Sequence, residues 1–331
     1  MKSNNKINWL LILQGWAMLL VVLGHVTTGL PKPGWAQMVK DFAYSFHMPL
    51  FMLISGWLFY LTRLKSGGGD WPYNKIVKDK ALRLLIPGLV FSIVAFAVKI
   101  AIPGEMSRQT DLTFTEILHA YLFPFDNPLR ELWFIATLFW FFIFTPFWKF
   151  LLSKKWITYF SVAVLTVLHF FHPSIEFLCI DRVFRFAIWF FLGIVISKED
   201  VVDNLFARHP WLTLLCGVLI YWIGWYIIPF VTTLGGIVFS FAFALIADKY
   251  IPKLFFSFRN YTYQIFLIGI FAQVFARILF KNLPVPYVVL FLLNAIMGIY
   301  VPVLISILFE RLNLKPLLLC VGLKPRKKES K

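Results

Sequence analysis

The sequence is poor in charged residues and in cysteine. Asp, Glu, Lys and Arg together make up only 15% of its 331 residues, against about 25% in an ordinary soluble domain. Its three cysteines, Cys179, Cys216 and Cys320, lack the spacing of a zinc site or of a disulfide framework. No internal repeat, low-complexity tract or long charged run is visible either. These absences exclude a disordered chain, a collagen-like fibre and a disulfide-rich secreted scaffold, and we expect no metal site.

Apolar residues are abundant instead. Hydrophobic residues make up 60% and aromatic residues 19% of the chain, and the mean hydropathy is +0.77. Apolar runs of about 20 residues, the length that crosses a hydrocarbon core, recur along the sequence. We therefore predict an all-α, polytopic transmembrane helical bundle that fills residues 1–331 as a single membrane-embedded domain. Its ten predicted spans lie near 8–30, 41–62, 81–102, 130–149, 156–172, 183–198, 210–229, 231–248, 259–281 and 286–310.

The net charge of +16 could suggest a nucleic-acid partner, but the cations are distributed as in a membrane protein. If the N-terminus is cytoplasmic, the segments predicted to lie inside carry 23 of the 32 Lys and Arg residues, and the outer segments carry nine. The positive-inside rule then places both termini in the cytoplasm. The first apolar run extends to about Leu30 with no small-x-small triplet after it, so we expect a span and not a cleaved signal peptide.

Six cations are concentrated around the predicted cytoplasmic loop after the second span: Arg63, Lys65, Lys75, Lys78, Lys80 and Arg83. Positive-inside topology alone is one explanation of this cluster. The alternative is an anion site for a cytosolic, phosphate-rich cofactor, because arginine binds phosphate through charge-assisted, bidentate hydrogen bonds. Lys80 and Arg83 are the residues that we assign to such a site.

Two predicted spans carry a histidine in their outer halves. His25 lies about 26 Å along the first span, and His47 lies near the start of the second, which enters from outside. Ionisable side chains inside a membrane indicate function, although a histidine bonded to a backbone carbonyl is the alternative for each. Gln14 lies on the helical face of His25, about 16.5 Å nearer the cytoplasmic end. Pro49 cannot donate a hydrogen bond to the carbonyl of Ser45, which predicts a kink beside His47.

Further polar side chains precede the later spans on the same predicted side of the membrane. They are Arg130, Glu131 and Trp133 before the fourth span and Asp181, Arg182 and Arg185 before the sixth. Taken singly, they fit snorkelling arginines and an aromatic belt. Together with the histidines they predict a polar outer cavity for a polyhydroxylated acceptor. The substrate-binding residues that we predict are Gln14, Glu131, Trp133, Arg182 and Arg185.

Five blocks of sequence occur in order between about residues 8 and 197: LQGWAMLLVVLGH, SFHMPLFMLISGWLF, KALRLLIPGLVF, ELWFIATLFW and FRFAIWFFLGI. The ordered series resembles the acyltransferase family 3 membrane proteins, and FHMPLF is especially similar to their fucose 4-O-acetylase-like branch. The resemblance implies a ten-span enzyme of the bacterial inner membrane. Such an enzyme moves an acyl group, usually acetyl, from cytosolic acyl-CoA to a glycan or another surface molecule, and binds no permanent cofactor.

The resemblance also assigns site residues, with two departures. The family's hallmark is an arginine, ten intervening residues and a histidine on the first span. His25 matches this histidine, whereas Gln14 stands in place of the arginine and keeps hydrogen bonding without the charge. Arg83 matches the basic residue before the third-span LIP segment, where it would meet the phosphates of CoA. Gly269 stands where relatives often carry a histidine.

Acyl transfer to a hydroxyl gives these residues chemical roles. His25 would remove the acceptor's proton as its oxygen attacks the thioester. His47, Arg182 or Arg185 would donate hydrogen bonds to the developing oxyanion. Direct transfer and transfer through an acyl-histidine or acyl-serine both remain open. The alternatives to an O-acetyltransferase that modifies polysaccharide are a transporter or flippase for a lipid-linked glycan, and a catalytically inactive relative, which the glutamine at position 14 would fit.

Overall fold

The computed structural model describes residues 5–26, 33–65, 72–102, 113–280 and 285–324, and within these ranges it contains helices and turns but no strand. The all-α prediction is therefore confirmed. The helices are α1 (Asn5–Val26), α2 (Gly34–Phe59), α3 (Tyr73–Lys80), α4 (Ile86–Ala101), α5 (Phe114–Leu122), α6 (Trp133–Ile143), α7 (Thr145–Leu151), α8 (Lys155–Phe170), α9 (Ile180–Lys198), α10 (Pro210–Ile227), α11 (Pro229–Tyr250), α12 (Thr262–Phe280), α13 (Tyr287–Leu312) and α14 (Lys315–Cys320).

Seven helical segments of the described residues are long and apolar enough to cross a membrane, and the bent pair α6–α7 would be an eighth. The seven are Asn8–Val26, Gly34–Leu64, Tyr73–Ala101, Pro210–Ile227, Pro229–Tyr250, Arg259–Phe280 and Tyr287–Leu312. The two remaining predicted spans, 156–172 and 183–198, are also helical and correspond to α8 and α9. However, α8 has only 16 residues, and α9 begins with the charged segment Ile180-Asp181-Arg182. The chain is thus a multi-pass membrane protein, and its ten predicted segments coincide with helices.

The second and third spans begin about two turns earlier than predicted, at Gly34 and Tyr73. Their first turns are rich in polar residues, including Lys40 in the second span, so hydropathy alone places the boundary too late. The distribution of cations predicts that both termini are cytoplasmic. The first and last residues lie outside the described ranges, and this orientation stays a prediction.

The chain divides into two compact units. The first comprises Met1–Tyr60 and Gly193–Ile305, and the second comprises Leu61–Leu192 and Ser306–Lys331. The first unit therefore contains α1, α2, α10, α11, α12 and most of α13. The second contains α3 to α8, the first part of α9 and α14. Of the predicted site residues, Gln14 and the two histidines belong to the first unit, and the others belong to the second.

In the first unit α1 and α2 pack antiparallel. Near one end Trp9 and Trp57 make an edge-to-face contact with ring centroids 5.3 Å apart, and Phe241 of α11 contacts both rings. At the other end His25 of α1 meets Tyr44 of α2. Aromatic pairs contribute about 0.5–1.5 kcal/mol beyond the area that they bury. This packing fixes which residues of α2 face His25.

Glycines allow α10 and α11 to pack closely. A side chain at Gly217 or Gly224 of α10, or at Gly235 of α11, would overlap the backbone of the facing helix. Small residues let helix backbones approach each other within a membrane. The opposite side of α11 contacts α1 through the indole N–H of Trp16, which donates to Ser240 Oγ at 3.0 Å. The α10–α11 pair therefore supports the helices that carry the histidines.

Substitution of Gly235 by alanine is expected to lower the melting temperature in detergent. The added Cβ would overlap the backbone at Ile220 and Tyr221, and overpacking costs about 1–3 kcal/mol. This loss should exceed the gain of about 1 kcal/mol in helix propensity. Gly34→Ala is the matched control, since among the described residues no atom beyond its own helix and its chain neighbours lies within 4 Å of a Cβ at Gly34. Tryptophan fluorescence measures the melting temperatures of both variants. Equal melting temperatures would contradict the close packing of α10 and α11.

The second unit contains the break between α6 and α7, which meet at 61°. Two side chains satisfy the carbonyls that the break leaves without helical partners. The Trp148 indole donates to the carbonyl of Phe141 at 2.7 Å, and the Thr145 hydroxyl donates to that of Phe142 at 2.6 Å. Unpaired backbone groups at membrane depth are costly. The bend is therefore encoded by these residues.

Candidate functional site

His25 lies in the last turn of α1 and is half-buried. Its Nδ1 is 3.4 Å from the hydroxyl of Tyr44, which is long for a hydrogen bond. Val22 lies one turn before His25 on α1. Its carbonyl accepts a hydrogen bond from Nε2 of the buried Gln273 of α12 at 3.1 Å. This bond stabilises the end of α1 and with it the position of His25.

His47 is buried on α2, with 3% of its surface exposed. Its Nδ1 lies 2.7 Å from the carbonyl of Ala43, one turn earlier. A carbonyl oxygen can only accept, so Nδ1 carries the proton, and Nε2 of the neutral ring is an acceptor. Nδ1 of His47 thus makes the bond to a backbone carbonyl that is the alternative to a functional role. Nε2 keeps the basic lone pair of the ring.

Tyr44, which no sequence motif marks, links the two histidines. Its ring centroid lies 5.7 Å from that of His25 and 4.9 Å from that of His47. The ammonium of Lys40 lies 5.1 Å from the same ring centroid. Any side chain at Gly24 would overlap the phenol ring, so glycine at this position lets Tyr44 pack against α1. The spacing of residues 40, 44 and 47 is i, i+4, i+7, the signal of one helix face that could have revealed the cluster.

Two neighbouring helices hold the turn of α2 that carries His47. Because Pro49 has no N–H, the carbonyl of Ser45 lacks its helical partner. The hydroxyl of Thr233 on α11 donates to this carbonyl at 2.7 Å. The Ser45 hydroxyl lies 3.2 Å from that of Tyr221 on α10. Helix α2 continues through Pro49, and a hydrogen bond from Thr233 replaces the one that the proline removes.

The two departures from the family pattern have different structural settings. Gln14 is half-buried on α1, separated from His25 by about 16.5 Å of helix. It therefore does not belong to the cluster around Tyr44. At Gly269 an added Cβ would lie 2.8 Å from the carbonyl oxygen of Gly298. The close approach of α12 to α13 leaves no room there for the histidine that the family resemblance would place at this position.

Three of the residues predicted to bind substrate lie together in the second unit. The guanidinium carbon of Arg182 lies 4.6 Å from the ring centroid of Phe125 and 5.9 Å from that of Trp133. Trp133 stacks on Phe186 with centroids 5.2 Å apart, and Arg185 lies 6.0 Å from the Phe186 ring. The result is an aromatic platform with two guanidinium groups lying over its rings.

Acidic residues accompany this platform. Asp181 is buried and forms an ion pair with its neighbour Arg182, at 3.1 Å from Oδ2 to Nε. Glu131 is half-buried in the short 3₁₀ turn that precedes α6, whereas Arg130 beside it is exposed. Arg182 is therefore partly neutralised by Asp181, whereas the exposed Arg185 has its guanidinium at the Phe186 ring.

Of the two residues assigned to phosphate binding, Arg83 lies beside Asp79 of the second unit, a carboxylate that Arg63 also contacts. Arg63 Nη2 lies 3.1 Å from Asp79 Oδ2, and Arg83 Nε lies 3.8 Å from Asp79 Oδ1. The ammonium of Lys80 lies 4.0 Å from the ring centroid of Phe142. Asp79 thus holds two guanidinium groups near each other while leaving the cluster with a net positive charge. This is a suitable arrangement for binding phosphate.

Residues 7–311 match the protein family described as an acyltransferase domain. The chain belongs to this family. The family expected from the ordered sequence blocks is thus confirmed, and the matched region contains every predicted site residue.

Two curated relatives are nodulation proteins called NolL. The protein of Mesorhizobium japonicum is 31% identical over 117 residues, which cover 33% of this chain and 30% of the relative. The protein of Sinorhizobium fredii is 30% identical over 172 residues, which cover 50% of this chain and 43% of the relative. The chain therefore spans less than half the length of each of these relatives. No solved structure matches the chain.

Proposed function

We propose that the protein is an O-acyltransferase of the bacterial inner membrane. It transfers an acetyl or other short acyl group from cytosolic acyl-CoA to a hydroxyl of a surface glycan or a lipid-linked sugar. The observation that carries this proposal is the meeting of two histidines from adjacent membrane helices at Tyr44, in a chain of the acyltransferase-domain family. A base at this position would serve an acceptor that itself comes to the membrane.

In the proposed reaction Nε2 of His25 takes the proton of the acceptor hydroxyl as its oxygen attacks the thioester carbon. The C–S bond then breaks as the ester C–O bond forms, and the imidazolium returns the proton to the sulfur of CoA. The Tyr44 hydroxyl near Nδ1 of His25 supports the choice of Nε2 as the base. An Nδ1–H that donates to the phenol oxygen leaves Nε2 free of a proton. This is the general arrangement of a base that a third group orients.

His47 has a different role in this proposal. Its Nδ1 already donates to Ala43, so the neutral ring has no second N–H for an oxyanion. We assign it the binding of an acceptor hydroxyl, which would donate to Nε2. The role of oxyanion donor, which we also considered for this residue, would require the charged imidazolium.

The two clusters of the second unit suit the two substrates. Lys80 and Arg83, next to Asp79, would bind the phosphates of acyl-CoA, which is a substrate and not a resident cofactor. Trp133 is half-buried, with Phe186 stacked on it and Arg182 over its ring, and an aromatic surface with a guanidinium beside it suits the apolar face and hydroxyls of a sugar. Arg185 and Glu131 complete the residues of the second unit that we propose to bind the acceptor, and Gln14 of the first unit stays a prediction.

Replacement of Arg83 by glutamine is expected to raise the KM for acetyl-CoA by about tenfold with little change in kcat. A hydrogen bond to a charged group contributes about 1.5–3 kcal/mol, and Asp79 already takes part of the Arg83 charge. Lys78→Gln is the matched control, because it removes one exposed cation from the same segment. Initial rates at varied acetyl-CoA concentration measure both constants. Equal KM values for the two variants would contradict the assignment.

The proposed function is tested with purified protein in detergent and radiolabelled acetyl-CoA. The reaction is run with and without an extract of lipid-linked and surface glycans, for the wild type and for His25→Ala. Label that moves into a glycan only when His25 is present would support the transferase and begin to identify its acceptor. Folded wild-type protein that neither transfers label nor cleaves the thioester, with several acyl donors and extracts, would contradict the proposal.

A further inference from the structure

We propose that the second unit binds an anionic phospholipid, with an acyl chain in the groove formed by α6, α7, α8 and the start of α9, and the headgroup at the lysines of the α7–α8 turn. The groove consists of two adjoining cavities of about 390 and 310 Å³. Both are lined by Phe147, Leu165 and Leu168. This site is separate from the residues assigned to acyl transfer.

The bend of the α6–α7 pair creates this space. α7 turns away from α6 by 61° and begins with Thr145 and Pro146. Helix α8 covers the gap only partly, because just three of its 16 residues, Thr158, Ser161 and Leu165, are buried. Since the side-chain hydrogen bonds of Trp148 and Thr145 hold the bend, the groove is a property of the fold.

The lining of the groove fits a hydrocarbon chain. Apart from Ser161, the side chains that line the 310 Å³ cavity are apolar. The Ser161 hydroxyl already donates to the carbonyl of Ile157 at 2.7 Å. The 390 Å³ cavity is lined by apolar residues from α6 to α9. From Trp156 to Leu168 the groove follows α8 for about 18 Å. This is close to one leaflet, half of the roughly 30 Å hydrocarbon core.

Three lysines lie where the groove ends. Lys149 precedes Phe150, and Lys154 and Lys155 precede Trp156; all three lysines are exposed, as are the two aromatic rings, at 61% and 66%. Within the part of the chain that the structure describes, none of the three lysines forms an ion pair with an acidic side chain. Basic clusters beside grooves between membrane helices bind anionic headgroups. Charge therefore selects an anionic phospholipid over a neutral one.

The test uses the full-length protein reconstituted in vesicles that contain equal amounts of phosphatidylglycerol and phosphatidylcholine with the same acyl chains. After extraction in a mild detergent, native mass spectrometry measures which lipid stays bound. The triple variant removes the proposed headgroup site: Lys149→Gln, Lys154→Gln and Lys155→Gln. Its matched control removes three exposed cations elsewhere: Arg208→Gln, Lys253→Gln and Lys315→Gln. Leu168→Trp fills the groove without altering charge.

We expect the wild type and the control to retain phosphatidylglycerol at least fivefold over phosphatidylcholine. The triple variant should lose this preference, and Leu168→Trp should lose bound lipid of both kinds while its melting temperature in detergent stays within a few degrees of the wild type. Equal retention of the two lipids by the wild type would overturn the proposal. So would a preference that survives in the triple variant, or bound lipid that persists after Leu168→Trp in folded protein.

Discussion

Replacement of His25 by alanine is expected to lower kcat for acetyl transfer by about 10²–10⁴-fold, the contribution typical of a positioned general base. The acceptor hydroxyl is a weak nucleophile at neutral pH and needs a base within hydrogen-bond reach. His25 is half-buried at the end of α1, with Nδ1 at the Tyr44 hydroxyl. The measurement is single-turnover transfer of labelled acetyl at saturating acetyl-CoA.

The same substitution should leave the fold nearly unchanged, and this separates a catalytic histidine from a structural one. The end of α1 is held by Gln273, which bonds the backbone of Val22 and not the imidazole. We therefore expect the melting temperature of His25→Ala to stay within about 2–4 °C of the wild type, the change produced by about 1 kcal/mol in a large domain. Loss of folding together with loss of activity would instead assign His25 to packing.

His209→Ala provides the matched control for this experiment. His209 is exposed at the start of α10, and the hydrogen bond that Thr213 makes there uses its backbone carbonyl. The control should transfer acetyl at the wild-type rate. Added imidazole gives a second readout, because it should restore part of the activity of His25→Ala if the missing group is a base. Full activity of His25→Ala without imidazole would remove His25 from the mechanism.

The sequence predicts the helices well because the bilayer imposes their length. All ten apolar runs coincide with helices, and the errors lie at ends such as Gly34, where polar first turns extend a span beyond its apolar core. The 61° bend between α6 and α7 was not predicted. It depends on side chains such as Trp148, whose bond to the Phe141 carbonyl replaces a helical one. A hydropathy profile carries no information about such a bond.

The candidate site is only partly visible in the sequence. His25 and His47 stand out because ionisable residues are rare within membrane spans. Tyr44 does not, since aromatic residues make up 19% of the chain. Its importance comes from contact with both imidazoles and from the glycine at position 24 that lets its ring approach α1. Such contacts depend on the register between α1 and α2, which the spacing along one helix cannot give.

The clusters of charged residues illustrate the same limit. The sequence identifies Lys80 and Arg83 as candidates for phosphate binding, and the structure adds Asp79, which brings Arg83 near Arg63. It also places Lys80 over the ring of Phe142. An ammonium in such a position makes a cation–π contact of about 0.5–1 kcal/mol or more. We therefore assign the stronger effect on acyl-CoA binding to Arg83.

Substitution of Tyr44 by phenylalanine is expected to lower kcat by about 10-fold to 100-fold and to leave the KM values nearly unchanged. The variant keeps the ring that packs on Gly24 and His47 and removes only the hydroxyl at His25 Nδ1. A hydrogen bond to a charged partner contributes about 1.5–3 kcal/mol, and the imidazole becomes charged when it takes the acceptor's proton. Steady-state kinetics with both substrates separates kcat from KM.

Tyr44 is a positioning residue in this account, so its effect should depend on His25. In the His25→Ala background the further change Tyr44→Phe should have almost no effect on the residual rate, because residues that act as a unit are not additive. Tyr226→Phe on α10 is the matched control, since the Tyr226 ring is exposed and keeps its contact with Trp222 without the hydroxyl. If Tyr44→Phe lowers the rate equally with and without His25, the hydroxyl acts independently of the histidine, and the proposed pairing is wrong.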